Sequence, residues 1–360
     1  MSLSRVAIFS ASLTLPAGAA ALAVVASLAV APHAFGTVNT SYHQIVAFGD
    51  SLSDVGNLNT ADGGVGPNGA NNYATGEFTD GPSTTPAVPV GGPEGVWVQQ
   101  LNALLGLPAL TASLAGGFDY AYGGAVTGGA VSYSGFSVPG MQNQVGTYLS
   151  SVSGHVPANN LYVFWGGAND IFNAAAAGAT GAAVDAAASQ AAANIDGEIQ
   201  SLYNAGGRDF LWLNLPPLDK TPGSTGNMEL ADATTVFNNA FSTDVTGLNA
   251  AQTFGHVTGI DINALTSELL TDPSKYGLTN VTNSAQDLTG INPDTYLFWD
   301  GAHPTTAGDA LIAQRVFQQV VPEPATLGLL ALGGVPSLLP RRRCAVSLAR
   351  SAANPGDGSC

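Results

Sequence analysis

The sequence predicts an α/β fold, a three-layer α/β/α sandwich with a central parallel sheet. Short apolar runs are typical of buried strands, and such runs occur at 45–48, 161–165, 210–215 and 257–262. Segments of helical character separate them, at about 94–105, 141–152, 183–204, 228–250 and 305–320. Strands that alternate with helices favour a parallel sheet that is covered by helices on both faces.

The composition provides a full core and argues against several kinds of partner. Of the 360 residues, 45% are hydrophobic and only 9% are charged, with a formal net charge of −16. Nucleic acid is not an expected partner, because a protein that binds phosphate backbones needs clustered Lys and Arg. Between Phe35 and Pro340 the basic side chains are Arg208, Lys220, Lys275 and Arg315.

Cysteine and histidine usage predicts neither a metal site nor a cofactor. Both cysteines, Cys344 and Cys360, lie in the C-terminal tail, so the body of the chain has no Cys-based metal site. The five histidines are scattered, without the close pairing that a metal centre favours. We therefore expect the chemistry of this protein to depend on its own side chains.

Residues 1–34 are predicted to be a secretory signal peptide. Arg5 is the only charged residue in an otherwise apolar, Ala-rich stretch, and Ala29-Val30-Ala31 fits a small-x-small cleavage site. Cleavage after Ala34 and a retained membrane anchor are the alternatives. In each case the body of the chain, residues 35–320, is expected to be exported.

Ser51 is the candidate nucleophile. It follows the apolar run 45–48 and Gly49, which places it at the carboxyl end of a buried strand, where α/β sheets meet their ligands. A serine hydroxyl needs a nearby base and donors for the oxyanion before it can act as a nucleophile. The alternative is that Asp50 and Ser51 cap a helix, since both residue types do so readily.

Two further segments offer oxyanion donors. Asn169 follows the apolar run 161–165 and a glycine turn, and its side-chain amide can donate a hydrogen bond to an oxyanion. Gly123 and Gly124 follow a short apolar run, where a glycine pair allows close approach of the backbone. The alternatives are a helix cap at Asn169 and an ordinary turn at the glycine pair.

Asp300 and His303 form the candidate base pair. They follow the apolar run 296–299 and precede the predicted helix at 305–320, which places His303 at the start of that helix. The spacing lets the carboxylate reach the imidazole within one loop, fix its tautomer and stabilise its cation. A chance Asp-x-x-His with a structural histidine is the alternative.

Together these segments resemble the GDSL family of the SGNH hydrolases. The motif Gly49-Asp50-Ser51-Leu52 matches the first sequence block of the family, and Gly-Gly-Ala-Asn-Asp at 166–170 matches the third. Further stretches, such as Asn214-Leu215-Pro216-Pro217-Leu218, resemble the exported lipase, phospholipase and esterase branch. The resemblance covers about residues 42–320 and implies a flavodoxin-like sheet and an ester hydrolase.

The resemblance also implies a role for each candidate residue. It makes Ser51 the nucleophile, with His303 as its base and Asp300 as the residue that orients the base. The oxyanion would be bound by the backbone N–H groups of Ser51 and Gly124 and by the Asn169 side chain, with Gly123 as the alternative to Gly124.

Two features near Ser51 depart from a simple family pattern. The branch runs from Gly-x-Phe-Thr-Asp-Gly-Pro directly into a Trp-Val helix, whereas here Ser83–Gly95 separates Gly76–Pro82 from that helix. The insertion belongs to a long Gly-, Asn- and Pro-rich stretch, 60–93, that is predicted to be a surface loop. In addition, Asp50 and Asp54 beside Ser51 could form a metal site or an acid–base pair instead of supporting the turn.

The C-terminus resembles a PEP-CTERM sorting tail, which an exosortase processes. It has Val321-Pro322-Glu323-Pro324, an apolar run at 325–339 and three arginines at 341–343. The run is shorter than the ~20 residues of a typical membrane span, and Pro336 interrupts it. Residues 344–360 continue past the usual end of such a tail. A transient anchor in the inner membrane is one expectation, and a tail without function is the alternative.

The sequence thus predicts an exported ester hydrolase located in the periplasm, at the cell surface or outside the cell. Its substrate is expected to be a lipid or short-chain acyl ester. The main alternative is a carbohydrate acetylesterase acting on extracellular polysaccharide, because the resemblance includes members that act on acetylated polysaccharides. Aromatic residues do not decide between the two, since they suit acyl chains and sugar rings alike. A noncatalytic surface or matrix protein that keeps the fold for binding is the other alternative.

Overall fold

A computed structural model describes residues 42–74, 76–81, 95–133, 135–251 and 255–321. The predicted signal peptide and sorting tail, and most of the insertion 83–95, lie outside these residues. All described residues belong to the unit Val38–Cys360. Among the helices of these ranges, none combines the length and the hydropathy that crossing a membrane requires.

Strands and helices alternate through most of the described chain. The strands are β1 (Ile45–Gly49), β2 (Val131–Tyr133), β3 (Phe136–Val138), β4 (Leu161–Trp165), β5 (Asp209–Leu213), β6 (His256–Ile260), β7 (Asn280–Ser284) and β8 (Tyr296–Phe298). The helices are α1 (Asn57–Ala61), α2 (Trp97–Leu104), α3 (Met141–Ser151), α4 (Ala168–Ala176), α5 (Ala182–Ala205), α6 (Met228–Ala251), α7 (Ile262–Thr271) and α8 (Thr306–Val320).

The main sheet is parallel and has the strand order β1-β4-β5-β6. The segment 118–122 runs along the free edge of β1, because Ala47 N–H donates to Phe118 O at 3.1 Å and Tyr120 N–H donates to Ala47 O at 2.8 Å. This segment leads directly into Gly123 and Gly124. The sheet therefore brings the glycine pair beside the end of β1, where Ser51 lies.

Both faces of the sheet are buried. Val46 and Phe48 of β1 point into a core with α3, α5 and α6, whereas Ile45 and Ala47 point into a second core with α2, α7 and α8. Alternate side chains of a strand point to opposite faces, so a strand buried on both faces must be apolar throughout. The three-layer α/β/α prediction is confirmed.

Several details differ from the sequence prediction. The Gly- and Ser-rich stretch 125–138, where no strand was predicted, contains the antiparallel hairpin of β2 and β3. The parallel pair of β7 and β8 was not predicted, because Asn280–Ser284 is largely polar and lacks an apolar run. The last helix begins at Thr306, with Thr305 as its N-cap, so His303 lies in the loop before the helix and not at its start.

Candidate active site

Gly49 allows the end of β1 to lie against its neighbours. A Cβ atom at this position would lie 2.4 Å from the backbone oxygen of Trp165 on β4, closer than real Cβ contacts. The Gln144 side chain of α3 completes the contact, since its Nε2 donates to Gly49 O and its Oε1 accepts from Gly49 N–H, each at 2.9 Å. The backbone entering the Ser51 turn is therefore held on both sides.

The turn after β1 is closed by two carboxylates. Asp50 Oδ1 accepts from Leu52 N–H at 3.0 Å, and the Asp50 carbonyl accepts from the N–H groups of Ser53 and Asp54 at 3.1 Å. Asp54 accepts four backbone N–H groups, those of Gly56, Asn57, Leu58 and Gly123, at 2.7 to 3.1 Å. These contacts favour a supporting role for Asp54 over the metal site or acid–base pair.

Burial acts on both carboxyls of the turn. Asp50 and Asp54 are buried, and burial raises the pKa of each to about 6. Within the described ranges, no group of three or more His, Cys, Asp or Glu residues could hold a metal ion.

Ser51, His303 and Asp300 form a continuous chain of hydrogen bonds. His303 Nδ1 lies 2.6 Å from Asp300 Oδ2, and His303 Nε2 lies 2.7 Å from Ser51 Oγ. Because a carboxylate only accepts, it fixes the proton of the neutral imidazole on Nδ1. Nε2 then carries the lone pair and can accept the proton of the Ser51 hydroxyl.

The Asp300 carboxylate is saturated with donors. Its Oδ1 accepts from the N–H groups of Ala302 and His303, each at 2.7 Å, and its Oδ2 also accepts from the Tyr73 hydroxyl at 2.5 Å. Burial alone would raise the pKa of Asp300, but the hydrogen bonds and charge of His303, together with Tyr73, lower it below the usual range. Asp300 is therefore ionised in the folded protein at neutral pH.

Tyr73 belongs to a segment that sequence reasoning left without a role. We call its described residues, 73, 74 and 76–81, the clamp segment. The Phe78 ring stacks on the His303 ring at a centroid distance of 4.8 Å, and Asp80 Oδ1 accepts from the N–H of Thr306 at 2.7 Å. The clamp segment thus contacts Asp300, His303 and the first turn of α8. The only sequence signal for it was the Gly-x-Phe-Thr-Asp-Gly-Pro resemblance at 76–82.

The predicted oxyanion donors lie around Ser51. Gly123 N–H donates to Asp54 at 2.8 Å, so it is occupied. The N–H groups of Ser51 and Gly124, by contrast, donate to no acceptor among the described residues. Gly124 has a φ of +79°, a conformation that favours glycine. Of the predicted glycine pair, Gly124 is the one with an available donor.

Asn169 lies in the first turn of α4, which begins directly after β4. Its Nδ2 donates to Ala125 O at 2.9 Å and lies 3.5 Å from Asp50 Oδ2. The amide group is thereby held at the cavity wall, beside the Ser51 turn. Both amide hydrogens therefore have acceptors, and the predicted role requires the longer bond, to Asp50, to give way to the oxyanion.

A cavity of about 800 Å³ opens over the site, within the range usual for ligand pockets. Ser51, His303, Gly124 and Asn169 all line it. The structure thus brings together the five residues that the sequence singled out, with Asp300 behind His303.

Comparisons with known proteins identify the family of this chain. The sequence model of the family described as GDSL-like Lipase/Acylhydrolase matches residues 45–316. An uncharacterized Pseudomonas putida protein, described by its location in the trpE-trpG intergenic region, is 29% identical over 341 residues, which cover 85% of this chain and 53% of the relative. The thermolabile hemolysin of Vibrio parahaemolyticus is 24% identical over 301 residues, which cover 77% of this chain and 63% of the relative.

The chain therefore spans between about half and two thirds of the length of these two relatives. Among solved structures, a catalytic mutant of an acetylxylan esterase from Geobacillus stearothermophilus is similar with a TM-score of 0.43 and 11% identity. The match covers 78% of this chain and 95% of that structure. Because the family model spans most of the described chain, the protein belongs to the GDSL-like lipase/acylhydrolase family.

Proposed function

We propose that this protein is an exported serine hydrolase of acyl esters that works through a Ser51–His303–Asp300 triad and an acyl-enzyme. The observation that carries the proposal is the chain of hydrogen bonds from Ser51 Oγ through His303 to Asp300, at 2.7 and 2.6 Å. A serine, a base and a carboxylate in this geometry are the minimum set for nucleophilic acyl transfer.

In the first half of the reaction, His303 Nε2 takes the proton of Ser51 as Oγ attacks the ester carbonyl. The negative charge that develops on the carbonyl oxygen is stabilised by the N–H groups of Ser51 and Gly124 and by the Asn169 amide. The imidazolium, paired with ionised Asp300, then gives its proton to the departing alcohol. The acyl group remains on Ser51 as an ester.

In the second half, water enters and His303 removes a proton from it as it attacks the acyl-enzyme. The same donors bind the second oxyanion, and the proton on His303 returns to Ser51 Oγ as the acid leaves. Water supplies the oxygen of the product acid, so the cycle needs no cofactor and restores the free enzyme.

The proposal of export depends on the sequence alone. Residues 1–34 have the pattern of a signal peptide, and residues 321–343 resemble a sorting tail that an exosortase would process. Mass spectrometry of the protein recovered from its native host would determine the N-terminal and C-terminal residues of the mature protein. An N-terminus at Met1 in the mature protein would contradict export through a cleaved signal.

A panel of esters tests the catalytic proposal. The purified full chain would be assayed on acyl esters from acetyl to long chains, a phospholipid and an acetylated xylan. We expect turnover to fall by on the order of 10⁶-fold in Ser51→Ala and by at least about 10³-fold in His303→Ala, because both residues belong to one proton-transfer unit. Thermal melts of both variants check that the fold is intact.

Three outcomes separate the alternatives. Parent-level turnover in Ser51→Ala would refute the triad. Preference for acetylated xylan over every lipid ester would favour the carbohydrate acetylesterase. A folded parent that hydrolyses no ester and is not labelled by a serine-reactive phosphonate would favour a noncatalytic binding protein.

A further inference from the structure

The cavity over Ser51 extends into the core between the sheet and helices α7 and α8. We call this part the buried arm and define it by six residues that line it: Trp165, Ile262, Thr266, Leu269, Leu297 and Ile312. All six are at most 8% exposed. They come from β4, α7, β8 and α8, so the arm is enclosed by regular structure and has fixed walls.

The buried arm begins next to the reacting serine. Leu52, which follows Ser51, lines the same cavity and packs against the core cluster that contains five of the six arm residues. Pro304, which follows His303, lines it as well. A substrate group that is attached to the carbonyl at Ser51 can therefore extend from the Ser51 hydroxyl into the buried arm.

The walls of the buried arm are almost entirely apolar. Trp165 Nε1 donates to the carbonyl of Asn214 at 3.1 Å, so its polar atom is already paired. Thr266 contributes the one hydroxyl among the six residues. No charged side chain belongs to the set. A polar group placed in this arm would lose its bonds to water and find few partners, which carries a large free-energy cost.

Another part of the cavity lining has a different character. We call it the open arm and define it by Ala61, Asp62, Val65, Asn71 and Phe136, which lie at the end of α1, in the loop after it and on β3. Val65 is 75% exposed, and Asp62 and Asn71 bring polar groups to the wall. This side can receive hydroxyl groups or charge, because water reaches it.

We infer that the buried arm binds the acyl chain of the ester and that the open arm receives the alcohol. The inference rests on the proposed function and narrows it to esters of medium or long unbranched acids. The acyl chain of such an ester has no polar atoms beyond the carbonyl. A sugar or glycerol headgroup would leave its hydroxyl groups unpaired in the buried arm, whereas the open arm can solvate them.

The inference predicts how rate depends on chain length. Burial of one methylene contributes about 0.8 kcal/mol, which corresponds to about fourfold in kcat/KM for each carbon that enters the arm. With one series of alcohols held constant, kcat/KM should rise from acetyl through butanoyl to decanoyl esters, until the arm is full. An enzyme for acetyl groups would show no such rise.

Thr266→Phe tests the location of the chain, because it puts a ring into the buried arm on α7. We expect the ratio of kcat/KM for the decanoyl ester to kcat/KM for the acetyl ester to fall at least tenfold relative to the parent. Ala61→Phe is the matched control, since it adds the same kind of bulk to the open arm. It should leave the preference for chain length unchanged.

A second variant at the same position covers the case in which Thr266→Phe does not fold. Thr266→Ala widens the arm and should move the optimum to longer chains. An unchanged chain-length profile in the folded Thr266 variants would overturn the inference, even if short esters are hydrolysed in a Ser51-dependent way. If the parent protein itself shows no Ser51-dependent turnover, the proposed function is refuted instead.

Discussion

The two halves of the candidate triad are held in place in different ways. The turn that carries Ser51 is closed mainly by its own neighbours, since Asp50 and Asp54 accept N–H groups that lie two to four residues away. The loop that carries His303 is held from a distance, because Tyr73 and Asp80 contact Asp300 and Thr306 across more than 220 residues. In addition, the Phe78 ring stacks on the His303 ring.

This contrast indicates where activity is vulnerable. The Ser51 turn combines internal hydrogen bonds with contacts from Gln144 and Gly123, and none of these bonds involves the clamp segment. The His303 loop depends on contacts with the clamp segment. These contacts form only when the two distant segments are brought together in the folded protein. Substitutions in the clamp segment should therefore change catalysis by moving the base, without disturbing the nucleophile turn.

The largest expected effect within the histidine loop belongs to Asp300→Asn. The side-chain amide of this variant would present N–H groups to His303, which favours the tautomer with the proton on Nε2. That tautomer cannot accept the Ser51 proton, so kcat should fall on the order of 10³–10⁴-fold. Steady-state kinetics on the best ester of the panel measures the effect, with a thermal melt to show that the fold is intact. A loss of less than tenfold would show that Asp300 does not orient the base.

Tyr73→Phe is a milder change in the same loop. It removes one of the two hydrogen bonds that Asp300 Oδ2 accepts and leaves the ring in place. The carboxylate would then hold the imidazolium more tightly, so we expect the acidic limb of the kcat/KM profile to move to higher pH. The loss in kcat should be about tenfold or less.

Tyr276→Phe is the matched control for Tyr73→Phe. Tyr276 also donates to a carboxylate, that of Glu268 at 2.7 Å, but both residues are outside the cavity lining. Its pH profile should coincide with that of the parent. If Tyr73→Phe also retains the parent profile, the clamp segment is only structural and the proposed dependence of the base on it is wrong.

The same contrast explains what could be predicted from the sequence. Ser51 and Asn169 follow apolar strands, and Asp300 and His303 are three residues apart, so local patterns together with the family resemblance were sufficient to single them out as candidates. Tyr73 and Phe78 come from a loop without periodicity, and their roles depend on contacts with residues more than 220 positions away. The buried arm was equally hidden, because Thr266 and Ile312 look like ordinary core residues until the helices pack.

The nucleophile turn also affects the stability of the protein, because it buries the Asp50 carboxyl. Burial raises the pKa of this carboxyl to about 6, from 3.8 in the unfolded chain. Between these two values the folded state keeps a proton that the unfolded state has released. The contribution of Asp50 to the free energy of unfolding should therefore be largest below about pH 4 and fall by about 3 kcal/mol as the pH rises through 6.

Asp50→Asn removes this contribution, and its Oδ1 can still accept from Leu52 N–H. We expect the variant to lose less stability than the parent between pH 4 and pH 7 when both are unfolded by urea. Ser51→Ala is the control, because it alters the same turn but keeps the Asp50 carboxyl, and it should show the parent slope. Equal slopes in Asp50→Asn and the parent would mean that Asp50 is ionised in the folded state throughout this range. The turn would then stabilise an ionised Asp50 to the same degree as the histidine loop stabilises an ionised Asp300. The two halves of the site would differ in the sequence distance of their contacts, but both would stabilise a buried carboxylate in its charged form.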